Sequence, residues 1–124
     1  MKLFCLHFVL AVILLGGCAT NRVPPIDRRV TLSPNLPRSV KVEDLNVGRN
    51  SAGLLIINAG LINSGSRPVD INYKVDWLSG GMVVDSLVGS WNRRTLRPRE
   101  PVFLSLPAPR LDVDDFRMTI REDQ

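Results

Sequence analysis

Histidine occurs once in these 124 residues and cysteine twice, and Cys5, His7 and Cys18 all fall within the first eighteen positions. Residues 19–124 therefore contain neither type. A Ser-His-Asp or Cys-His nucleophile cannot be assembled from them. Zinc, copper and haem, which need imidazole or thiolate ligands at suitable spacing, find none there, and no cofactor is expected. Long apolar runs are also missing: Leu3–Leu15, about 13 residues interrupted by Cys5 and His7, falls short of the roughly 20 that a membrane-spanning helix requires. Neither sign of charge dominates, with 16 Lys and Arg against 12 Asp and Glu. Mild basicity of this kind suits anionic surfaces in general, and no nucleic-acid-binding motif accompanies it. Internal repeats, low-complexity segments and helical periodicity are absent.

What is present at the start of the chain is an address. Met1-Lys2 supplies positive charge, Leu3–Leu15 a short apolar stretch, and Gly16-Gly17 small residues ahead of Cys18, which is the layout of a signal peptide over residues 1–17. Leu15-Gly16-Gly17-Cys18 resembles a bacterial lipobox. That resemblance implies a diacylglyceryl group on the Cys18 thiol, cleavage after Gly17, and acylation of the new amine by a palmitate-type chain. Two lipid signals already anchor stably, so three chains hold a protein on its membrane essentially permanently. In the lipoprotein sorting pattern, Ala19 in place of Asp points to the outer membrane. Cleavage leaves 15 Lys and Arg against 12 Asp and Glu, a side-chain charge of +3. It also leaves no pair of cysteines for an internal disulfide, so packing alone must hold the fold.

Residues 18–39 carry Pro24, Pro25, Pro34 and Pro37 with polar residues between them, and are expected to form an extended tether behind the lipidated cysteine. The competing reading is an N-terminal strand built on Val30 and Leu32. Residues 40–124 are enough for one small domain with one core. There the apolar residues recur with a period of two, which sends alternate side chains to opposite faces of a sheet. In Val69–Trp77 five apolar residues take one face, while Asp70, Asn72, Lys74 and Asp76 take the other. Leu54–Ile62 is apolar on both faces, as a central strand should be, and Asn63–Ser66 suits the turn after it. Gly80-Gly81 favours a hairpin into a strand over Met82–Val88, with Trp91 following. Val102–Leu106 alternates again, and Phe116, Met118 and Ile120 point in while Arg117, Thr119 and Arg121 point out. About six to seven short strands predict an all-β, immunoglobulin-like antiparallel sandwich.

Tyr73-Lys74-Val75-Asp76-Trp77, Gly81, Trp91, Pro107-Ala108-Pro109 and Phe116–Arg121 together resemble the YcfL-like family of small periplasmic lipoproteins, over roughly residues 45–121. Lys74, Val75 and Ser79 depart from the family's usual arginine, phenylalanine and aspartate. The resemblance implies a β-sandwich and a non-enzymatic envelope protein of uncharacterised role.

Little catalytic chemistry remains. A Ser-Lys dyad would need Lys41 or Lys74 to be desolvated, yet Lys74 belongs to the wet face of its strand. Asp112, Asp114 and Asp115 offer oxygen ligands without the spacing, glycine or distal glutamate of a calcium loop, and are expected to solvate a turn. The most suggestive surface segment is Trp91–Arg99, where Arg93, Arg94, Arg97 and Arg99 accompany a tryptophan and suit a phosphate- or carboxylate-bearing partner. Its alternative is a core Trp91 with arginines solvating a strand and a loop. The expected function is an outer-membrane-anchored, periplasm-facing interaction or accessory module, contacting the membrane through Cys18 and an envelope protein or anionic polymer through its domain. A sandwich binding a small lipid or glycan fragment is the alternative, and a cofactor-free hydrolase a distant third.

Overall fold

The structure, a computed structural model, describes residues 27–84 and 90–124. Strand β4 (Val69–Ser79) organises the larger of two sheets. Its alternation holds: Ile71, Val75 and Trp77 are buried, and Asp70, Asn72, Lys74 and Asp76 line the other side. At the Ser79 end, Gly80 and Gly81 both take positive φ, 57° and 82°, as a two-residue type I′ hairpin turn demands, and glycine adopts such angles without a Cβ clash. The hairpin returns as β5 (Met82–Val83), which pairs with Leu78 and Ser79. The strand expected over Met82–Val88 is thus described only at its start, since residues 85–89 lie outside the described part.

On the same edge of β4, farther back, runs β6 (Asn92–Leu96), pairing Val69 with Leu96 and Tyr73 with Asn92. On its other edge lies β8 (Asp115–Glu122), antiparallel, with Phe116, Met118 and Ile120 turned into the core as their alternation requires. The smaller sheet is β2 (Val40–Arg49), β3 (Leu55–Asn63) and β7 (Val102–Pro107), with β3 central, as its two apolar faces predict. Ile57, Ala59 and Leu61 of β3 face Ile71, Trp77, Phe116, Met118 and Ile120 across the interior. Trp77 and Phe116 meet there with tilted rings 6.5 Å apart, a favourable aromatic geometry.

The proline-rich segment corrects the expected boundary. Residues 18–26 lie outside the described part, but residues 27–39 are packed on the domain rather than serving as a tether. Val30–Leu32 form β1, which pairs in parallel with Met118–Ile120 of β8. Val30 and Leu36 are buried in the common core, and the Met118 N–H donates to the Arg29 carbonyl at 2.7 Å. Burial of these apolar side chains and the backbone pairing outweigh the extended preference of the prolines.

The connectivity is that of an immunoglobulin-like sandwich with one substitution. Strands β2, β3 and β7 occupy the places of A, B and E, and β4 and β8 those of C and F. The slot beside F, which the last strand fills in that fold, is here taken by the first strand, β1, running parallel. The eight strands among the described residues exceed the expected six to seven because β1 forms where a tether was expected.

Candidate functional site

Alternation along β6 divides the arginine-rich segment. Arg93 stands opposite Asn72, on the outer, charged face of the larger sheet, whereas Arg94 stands opposite Ile71 and turns to the other side. Arg93 is held there by two carboxylates, Asp70 at 2.7 Å and Asp123 at 3.0 Å. The Thr95 hydroxyl also donates to Asp70, and these bonds, Thr95 first and Arg93 second, lower the Asp70 pKa, while the same carboxylate raises that of Arg93. Arg97 and Arg99 leave the strand altogether and lie exposed in the β6–β7 connection. The four arginines therefore do not form one patch: Arg93 is neutralised, Arg94 faces away from it, and Arg97 and Arg99 belong to an end of the sandwich. Cys18 lies outside the described residues.

Trp91 is not a core residue. In continuing the register of β6 it falls over the outer face, 37% exposed. Two cations approach its ring, the Arg121 guanidinium 3.8 Å and the Lys74 ammonium 5.4 Å from its centroid. Cation–π attraction at an exposed site is worth about 0.5–1 kcal/mol, enough to seat the indole without burying it. Lys74 also lies 3.7 Å from Asp76. The acids of the β7–β8 connection are likewise accounted for. Arg110 holds Asp112 at 2.7 Å, Asp114 accepts the Gly80 N–H, and Asp115 accepts the Phe116 N–H while lying 3.4 Å from Arg29.

One residue that the sequence did not single out organises the far end. Asn63, the last residue of β3, is completely buried. Its side-chain N–H groups donate to the carbonyls of Arg67 at 2.7 Å and Leu96 at 3.1 Å, and its side-chain oxygen accepts the Gly65 N–H at 2.9 Å. Its own carbonyl accepts the Arg99 N–H at 2.7 Å, which sets Arg99 at φ 61°, a left-handed angle uncommon for a side chain other than glycine or asparagine. An Asn-Ser-Gly-Ser run signals a turn, but nothing in it shows that the asparagine also reaches a strand 33 positions later.

The gap between the sheets beside Tyr73, Val75, Trp77, Asn92, Leu106 and Pro107 measures about 130 Å³, below the roughly 300–1,000 Å³ of small-molecule pockets. A groove of about 310 Å³ runs over the outer face between Arg28, Thr31, Asp76 and Arg117.

With this geometry in view, the relatives are informative about class. A family model described as a protein of unknown function, DUF1425, matches residues 27–122. The chain belongs to this family. The match begins at Asp27, the residue whose carboxylate binds Arg29 at the start of the packed segment. Among solved structures, cj0090 of Campylobacter jejuni is similar at 28% identity with a TM-score of 0.68, over 78% of this chain and 100% of that one. A DUF1425 family member from Shewanella sp. pv-4 shares the fold at 17% identity with a TM-score of 0.60, over 76% of this chain and 95% of its own. No curated protein matches the sequence.

Proposed function

We propose that this DUF1425 member is a lipoprotein of the YcfL-like kind, anchored in the outer membrane, facing the periplasm, and acting as a non-enzymatic interaction or accessory module of the cell envelope. The observation that carries this reading is the short apolar run ending in Leu15-Gly16-Gly17-Cys18, nine positions ahead of Asp27, where the family match begins. A lipidated Cys18 would stand nine residues from Asp27, no more than about 32 Å at the covalent limit of a polypeptide chain. The domain is then held close to one leaflet, a placement that favours contact with fixed envelope components over capture of diffusing substrates.

Replacement Cys18→Ser, followed by labelled fatty-acid incorporation and membrane fractionation, tests the anchor. Loss of label with release from the outer-membrane fraction is expected. Undiminished labelling would refute it.

A further inference from the structure

We propose that the end of the sandwich built from the β1–β2, β3–β4 and β6–β7 connections is a binding surface for a polyanionic glycan, presented by Arg38, Arg67, Arg97 and Arg99. The Asn63 contacts bring these residues together from three separate loops. Its side chain bonds the carbonyls of Arg67 and Leu96, the latter next to Arg97, and its own carbonyl bonds the Arg99 N–H. Next to Asn63, Ser64 donates from both its N–H and its hydroxyl to the carbonyl of Ser39, the neighbour of Arg38. Pro98 bridges to Asn63 directly. Lys41, paired with Ile62, adds a fifth cation beside them.

All five side chains are exposed, and none is in an ion pair among the described residues. The opposite end of the molecule differs. There Asp27, Asp115 and Asp112 are matched by Arg29 and Arg110. At the arginine end the nearby carboxylates include Glu100, exposed in the same connection, Glu43, exposed two residues along β2 from Lys41, Glu122, and Asp70 and Asp123, which Arg93 already engages. Guanidinium forks match carboxylate and phosphate geometry, and an unmatched cluster of them attracts a polymer carrying such groups in series.

Two observations select the glycan. Among the described residues the exposed large apolar side chains are Met82, Val83, Trp91, Phe103 and Leu111; none lies on these three connections, Phe103 standing on β7 just beyond the last of them, so the connections themselves lack the aromatic or aliphatic anchor around which protein interfaces are built. The chain also enters at the other end, where Arg29 contacts Asp115. The ten residue steps of β4 separate the two ends by ~33 Å at ~3.3 Å per residue. The arginine end is thus the one distal to a lipidated Cys18. This orientation rests on the anchored reading above; binding itself does not.

The test uses the full-length chain in non-ionic detergent, with immobilised polygalacturonate as probe and neutral dextran and poly-L-glutamate for comparison. Two variants of equal charge loss are compared: Arg67→Ala/Arg97→Ala/Arg99→Asn, with asparagine retaining the left-handed angle, and Arg28→Ala/Arg117→Ala/Arg121→Ala on the sheet face. The first should lose about tenfold or more in affinity and show a weaker salt dependence, the second less than about twofold. Equal losses in both, binding of poly-L-glutamate alone, or unchanged binding by a folded first variant would overturn the proposal. A Cys18→Ser chain that fails to leave the membrane would refute the anchor and leave the binding result standing.

Discussion

Asn63→Ala isolates the residue on which the far end depends. The substitution removes three hydrogen bonds at a fully buried position, leaving the Leu96 carbonyl without its partner inside the protein and the Arg67 carbonyl and Gly65 N–H half-exposed. The latter two groups can recruit water, so each forfeits only the net value of a bond, about 0.5–1.5 kcal/mol, whereas the buried carbonyl costs about 1–3 kcal/mol. Together these give about 3 kcal/mol of lost stability, or a fall in Tm of about 10–20 °C for a domain of this size. Urea unfolding followed by tryptophan fluorescence measures it. Asn63→Asp sharpens the argument, because a carboxylate of the same shape cannot donate to either carbonyl. Its pKa should be raised in the folded state, so its stability is lost as pH rises and partly recovered on acidification, when the protonated acid regains one donor. A cost below about 0.5 kcal/mol for Asn63→Ala, or an Asn63→Asp protein as stable as the parent at pH 7, would refute the hub.

The two tryptophans should respond oppositely: Trp77→Ala empties a core position at a cost of about 3–5 kcal/mol, whereas Trp91→Ala removes a ring held by two exposed cations and costs about 1 kcal/mol. In single-tryptophan variants acrylamide should quench Trp91 and spare Trp77. Truncating Leu36 to alanine should cost about 2–5 kcal/mol if the β1–β2 connection belongs to the core, and almost nothing if it is a loose tether, with thermal unfolding deciding between them. The Asp27 carboxyl is lowered from 3.8 to about 2, mainly by hydrogen bonds from the Arg29 side chain and then from its backbone N–H. A depressed folded value means that the pair's contribution is complete above about pH 4 and disappears as pH falls through about 2. With side chains 36% and 31% exposed it should amount to no more than about 1 kcal/mol, and Asp27→Asn should flatten the urea midpoint between pH 4 and 2 by that much.

Period-two patterning made the strands readable, because each side chain's face follows from its position in the strand alone. Val69–Trp77, Leu54–Ile62 and Phe116–Ile120 took their expected places and faces for this reason. The Gly80-Gly81 hairpin was equally local, since two positive φ angles in succession name their own residues. The absence of histidine and cysteine beyond Cys18 is likewise a matter of inventory, independent of folding. What the sequence left open depended on contacts between distant positions. The docking of Val30–Leu32 on β8 and the placing of Trp91 over Lys74 and Arg121 are of this kind. So are the division of the Arg93–Arg99 run between a neutralised face and an open end, and the gathering of Arg38 and Arg67 beside Arg97 and Arg99. Sequence by itself determined which residues form strands and which faces they bury. Only the tertiary structure decided which loops meet at Asn63, because hydrogen bonds spanning up to 36 positions leave no periodic mark along the chain.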